Sequence, residues 1–75
     1  MKELLEMIAK SLVESPDEVV VTENVTDDFI ELKLKVAQSD IGKVIGRSGR
    51  IAKAIRSVIK ASARNIDKKV FVDIE

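Results

Sequence analysis

Ile41-Gly42-Lys43-Val44-Ile45-Gly46-Arg47-Ser48-Gly49-Arg50-Ile51 is the stretch from which the rest of this chain is read. Apolar, helix-compatible residues run into Gly46, and a second apolar-periodic run starts at Ile51. The spacing predicts a helix, a very tight turn and another helix. Two glycines three apart allow positive φ and remove the Cβ atoms that would hold another backbone at a distance. Arg47, Ser48 and Arg50 supply guanidinium groups and a hydroxyl around that turn. Bare N–H groups and a helix start beside such side chains suit an anion, and the repeating anion that fits is a nucleic-acid phosphate. Gly46 taken alone reads equally well as a plain helix cap. Val44, Ile45 and Ile51, the bases Lys43 and Arg50, and the basic helix that follows carry the reading further.

On the C-terminal side, residues 50–65 form the clearest helix. At 100° per residue, Ile51, Ile55, Val58, Ile59, Ser62 and Ile66 gather on one face. Arg50, Lys53, Arg56, Lys60 and Arg64 gather opposite, with no acid anywhere between Asp40 and Asp67. A solvated face ordinarily mixes signs, so an all-basic face continuing from the loop points to a surface that tracks phosphates. On the N-terminal side, Ser39 is the expected N-cap of a short helix ending near Ile45, with Asp40 favourable in its first turn. Gly42 falls inside that helix. It marks either close approach by a ligand or a neighbouring backbone, or simply a tolerated glycine.

Further out the pattern changes period. Residues 2–14 carry Leu4, Leu5, Ile8, Leu12 and Val13 at helical spacing, and Ser15-Pro16-Asp17 ends the helix. Residues 18–23 are rich in valine and read as a strand, and Asn24 to Asp28 hold the turn formers. Residues 29–36 alternate, with Ile30, Leu32, Leu34 and Val36 on one side and Phe29, Glu31, Lys33 and Lys35 on the other. The short link predicts an antiparallel pair, register undetermined. Val70, Val72 and Ile74 alternate with Phe71 and Asp73 in a last strand, 70–74. Two helices lie between strands 29–36 and 70–74, enough for a right-handed parallel crossover. The expected fold is α+β: one domain, 1–75, in the order αββααβ, with a three-stranded mixed sheet and three helices on one face.

The 75 residues include no cysteine and no histidine, which removes disulfides, thiolate metal sites and the commonest general base. No paired-acid or phosphate-hydrolysis motif is present, so the expectation is a protein that is not an enzyme and needs no cofactor or metal. The longest apolar runs are a few residues, which predicts no membrane span and a cytoplasmic location. Zero net charge hides an asymmetry. Residues 1–40 carry four lysines against ten acids, net −6, and residues 41–75 carry nine Lys and Arg against three acids, net +6. One half is suited to facing a polyanion.

The run Val44-Ile45-Gly46-Arg47-Ser48-Gly49-Arg50-Ile51 resembles the signature loop of the KH domain, which clamps about four backbone nucleotides. The order αββααβ resembles the type II, or bacterial, form over the whole chain. The longer run from Gly42 to Arg56 is similar to the KhpA family of small bacterial single-KH proteins. That resemblance implies an RNA chaperone or post-transcriptional regulator that holds single-stranded RNA. It also implies a homodimer and a heteromeric partner of the KhpB (Jag-like) kind, itself a KH protein. The residues expected to meet RNA are Gly42, Lys43, Val44, Ile45, Gly46, Arg47, Ser48, Gly49, Arg50, Ile51 and Lys53. Bases are expected over a groove walled by strand 29–36, without aromatic stacking, since Phe29 and Phe71 fall on the outer parity of their strands. Those two rings, with Val20 beside them, offer one self-association surface. The edges of the last helix at Ala54, Ala61 and Ala63 offer another. The alternative is a protein-interaction module in which the glycine turn is only structural.

Overall fold

The computed structural model describes residues 1–75. The elements are α1 (Lys2–Leu12), β1 (Val20–Val25), β2 (Phe29–Lys35), α2 (Ile41–Ile45), α3 (Arg50–Ser62) and β3 (Lys69–Ile74). Single 3-10 turns at Pro16–Glu18, Gln38–Asp40 and Arg47–Gly49 link them. The sheet order is β1-β2-β3, antiparallel then parallel, as the two-helix crossover requires.

Alternation in β2 decides the layers. Ile30, Leu32 and Leu34 are buried, and of their partners across the two ladders Val21, Val70 and Val72 are buried with them, while Glu23 and Val25 are exposed. Leu5 and Ala9 of α1, Val44 of α2, Ile55 and Ile59 of α3 and Ala63 just past its end close over that face. Phe29 and Phe71 stand on the uncovered face, edge to face with centroids 5.9 Å apart. Val20 shares that face but pairs with Lys35 at the far end of β2, so it is not beside the two rings.

Several boundaries differ from the sequence expectation, each for a tertiary reason. The first helix ends at Leu12, and Val13 is extended. The next two amides, of Glu14 and Ser15, donate to the Asp40 carboxylate at 3.2 and 3.1 Å. Asp40 is therefore a buried anchor for the chain leaving α1, and Ser39 caps nothing by its side chain. Strand β1 begins two residues later than expected, because Pro16–Glu18 form a 3-10 turn, and it runs through Asn24 to Val25. The hairpin turn is thus confined to Thr26–Asp28, where the Thr26 hydroxyl oxygen accepts from the amides of Asp28 and Phe29. The last helix stops at Ser62, not residue 65, and its tail re-forms as turns through Ala63 and Ile66.

The buried stripe of α3 is also rotated from the one read by periodicity. Ala52, Ile55, Ile59 and Ala63 face the core, whereas Ser62 is exposed and Val58 is 47% exposed. Periodicity finds the apolar side of a helix but not which neighbours cover it. The sheet covers one flank of α3, and α1 covers the other only in part.

Candidate nucleic-acid interface

The loop is built by a reversal of backbone hand. Gly46 ends α2 at φ 74°, ψ 175°, and Gly49 opens α3 in the left-handed region at φ 72°, ψ 18°. Between them Ser48 is also left-handed, at φ 57°, ψ 25°, the one non-glycine residue with positive φ. A serine there carries strain that the surrounding turn must hold. Gly46 needs glycine twice over, for its φ and because a Cβ would sit 2.7 Å from Ile51 Cγ1. The side chain of Ile51 is thereby pressed against the backbone of the loop and fixes the approach of α3 to α2.

Arg47, Ser48 and Arg50 all project into solvent. The Gly49 N–H is spent on the Gly46 carbonyl at 3.1 Å and that of Arg50 on Arg47, so the turn hydrogen bonds use neither the Arg47 nor the Ser48 N–H. Two backbone donors and the Ser48 hydroxyl therefore lie at the start of a 13-residue helix, with the exposed Arg47 and Arg50 on either side of the turn in sequence. Exposed N–H groups, a hydroxyl and cationic side chains at a helix start are chemically suited to an anion.

Of the other expected residues, Gly42 and Lys53 are exposed, and Ile45 and Ile51 are half-buried. Val44 is fully buried and supports α2 from beneath. A Cβ at Gly42 would meet nothing within 4 Å, so no neighbouring backbone demands glycine there. Lys43 is held by ion pairs to Glu14 at 2.9 Å and Asp40 at 3.4 Å. The hydrogen bond to Glu14 raises its pKa above the ordinary lysine value; partial burial opposes that, and the charges of Glu14 and Asp40 reinforce it. Burial works against the charge on Asp40. The amides of Glu14 and Ser15 and the Lys43 ammonium outweigh it and hold the carboxyl below its ordinary range.

The strand expected to wall the base groove, 29–36, lies at the centre of the sheet. β2 is the central strand, hydrogen-bonded on both edges, so strand 29–36 has no free edge to offer. The strand beside α3 is β3, where Arg56 Nε donates to the Val72 carbonyl at 3.1 Å. Helical spacing sets Lys53, Arg56, Lys60 and Arg64 along the β3 side of α3. Arg50 stands apart, at the mouth of an apolar groove between α1 and α3. Sequence reasoning missed both that groove and the edge role of β3. The signal for the groove was the helical spacing of Leu4, Ile8 and Leu12, the first two of which the fold leaves half-buried.

An αββααβ chain with a mixed sheet and a Gly-x-x-Gly loop between its second and third helices is a KH domain of the type II order. The comparison with known proteins is narrower. The family model described as KhpA/KhpB, KH domain, matches residues 2–74, and the chain belongs to that family. Three relatives are each named RNA-binding protein KhpA: from Clostridium acetobutylicum (62% identical), Clostridium perfringens (58%) and Caldanaerobacter subterraneus (51%). Each alignment covers 99% of this chain and 99% of the relative.

Proposed function

We propose that this chain binds single-stranded RNA by clamping its sugar–phosphate backbone with Gly46-Arg47-Ser48-Gly49, and that it acts as an RNA chaperone or post-transcriptional regulator in the cytoplasm. The single observation that carries this is the loop: a left-handed turn exposing Arg47 and Ser48 at the head of a helix with no acid in it. Membership of a family whose relatives are named RNA-binding supports it. Arg50 and Lys53 add charge, Gly42 gives the backbone room, and Ile45 and Ile51 offer apolar contact to a base. Lys43 and Val44 act from behind, through Asp40 and the core. Contacts of this kind are largely electrostatic and read sequence poorly.

The test is Arg47→Asp combined with Ser48→Asp. Aspartate tolerates left-handed angles better than most residues, so the turn survives while two carboxylates repel phosphate. Gel shift is expected to show loss of RNA binding, with an unchanged circular dichroism spectrum. A folded variant with native affinity refutes the assignment.

A protein-interaction role accompanies this reading. The groove of about 490 Å³ between α1 and α3 is lined by Leu4, Ile8, Leu12, Ile51, Ala54, Ile55 and Val58, with Arg50 the one polar member. It supports self-association through the helices in preference to the open sheet face, where Lys33, Lys69, Glu31 and Asp73 surround the two phenylalanines. Ala54 and Ala61 remain exposed for such a contact, but Ala63 is buried. A heteromeric KhpB-like partner competes for the same groove in this proposal.

A further inference from the structure

The second concentration of unpaired positive charge lies at the far end of α3. A cleft of about 430 Å³ opens between the last turn of that helix and the start of β3. Lys60, Arg64, Lys68 and Lys69 line it together with Ile66 and Phe71, and no acid does. None of those four cations has an ion-pair partner, since both salt bridges of the chain belong to Lys43. Asp67 is adjacent in sequence but does not line the cleft. Cations near a helix C-terminus offset its dipole, which accounts for Lys60 in the last turn. It does not account for Lys68 and Lys69, which follow the turn and enter the strand. Four like charges gathered without partners repel one another, and a polyanion relieves that repulsion.

The cleft also has an aromatic wall. Phe71 is 50% exposed, yet its ring is fixed by edge-to-face packing on Phe29 at 5.9 Å and 75°. A fixed, half-exposed ring between Lys69 and Asp73 of its own strand, with Glu31 across the ladder, offers apolar surface to a nucleobase, and the cleft cations offer charge to the adjoining phosphates. An acidic peptide would use the charges but not the ring.

Resting on the RNA-binding reading above, we propose that this α3–β3 cleft is a second contact site for the same single strand. It takes an unpaired nucleotide, with the base against Phe71 and its phosphates among Lys60, Arg64, Lys68 and Lys69. The 13 residues of α3 separate it from the loop by about 20 Å at 1.5 Å per residue. About four nucleotides centred on the loop extend to either side of it, so reaching the cleft takes further nucleotides, and Lys53 and Arg56 line the way between. The strand therefore binds a longer footprint than the loop alone defines.

The experiment is fluorescence anisotropy on the full chain with oligouridylates of about 4 to 16 nucleotides, the range of single-strand site sizes. Lys68→Ala with Lys69→Ala is expected to leave affinity for the shortest RNA unchanged and to remove the gain on lengthening it. For long RNA, its slope of log affinity against log salt falls by ~1.4, two phosphates at ~0.7 each. Phe71→Ala, checked by circular dichroism, costs about tenfold on long RNA, as expected for one stacked base. A lysine variant that keeps the native gain with length overturns the proposal, whether the cleft is idle or serves an acidic protein. Equal losses at every length overturn it too. The Arg47→Asp, Ser48→Asp protein run in parallel separates the two readings. If it binds short RNA normally, the loop assignment fails, while the lysine result still decides the cleft.

Discussion

Replacing Gly46 with alanine tests whether the loop geometry is as constrained as it looks. The backbone there, φ 74° with ψ 175°, lies in a region essentially reserved for glycine. Forcing alanine into it costs about 1–3 kcal/mol. The new Cβ would also lie 2.7 Å from Ile51 Cγ1, 2.9 Å from Cδ1 and 3.0 Å from Cβ. A rotamer change can withdraw the first two atoms but not the third, which is set by the α3 backbone, so α2 and α3 must separate. Overpacking of that kind costs about 1–3 kcal/mol, and the stiffer unfolded chain returns only about 0.4–1 kcal/mol. The net destabilisation is about 3 kcal/mol, a large part of the roughly 4–11 kcal/mol expected for 75 residues. Thermal melts followed by circular dichroism should show a fall of about 12–24 °C at about 4–8 °C per kcal/mol. The other glycines are internal controls. At Gly49, left-handed but with open space around it, alanine costs about 1 kcal/mol. At exposed, helical Gly42, alanine gains about 0.5–1 kcal/mol, and loss of RNA affinity there would identify the ligand as what needs the glycine. A Gly46→Ala protein melting within a few degrees of Gly49→Ala refutes the reasoning.

Asp40→Asn is expected to lower the melting temperature at neutral pH. The native carboxyl titrates below its ordinary value of 3.8, so its contribution is complete above that value and is lost as pH falls through the folded-state pKa. The gap between native and variant melting temperatures should therefore close in acid, and a gap constant with pH contradicts the anchoring role. Lys53→Ala should reduce the salt slope of RNA binding by ~0.7 if it neutralises one phosphate; an unchanged slope removes it from the interface. Sedimentation equilibrium across a concentration series should find a dimer that Val58→Lys dissociates and Phe71→Lys does not. A native monomer at every concentration rejects self-association, and the reverse pattern moves it to the sheet face.

The legible part of this protein was whatever depends on local pattern. Alternation in 29–36 and 70–74 and the helical spacing in 2–14 and 50–65 identified four of the six main elements, because each face is buried or solvated as a unit. The Gly46–Gly49 turn was legible because a reversal of backbone hand between two helices leaves few residue choices. Charge segregation was legible because it is a property of the chain. Whatever depends on which surfaces meet was not. Asp40 looked like a helix-start acid, but its partners are the amides of Glu14 and Ser15, more than 20 residues away. Lys43 looked free until Glu14 was brought against it. Val58 carries the same periodicity as Ile55 and Ile59, and only the placement of α1 leaves it exposed beside an apolar groove. The sheet order makes β3 the edge beside α3, and the α3–β3 junction gathers Lys60, Arg64, Lys68 and Lys69 around Phe71. Local sequence sets the conformation of each segment through sterics and burial. The neighbours of a charge or a ring are set by packing between segments distant in the chain.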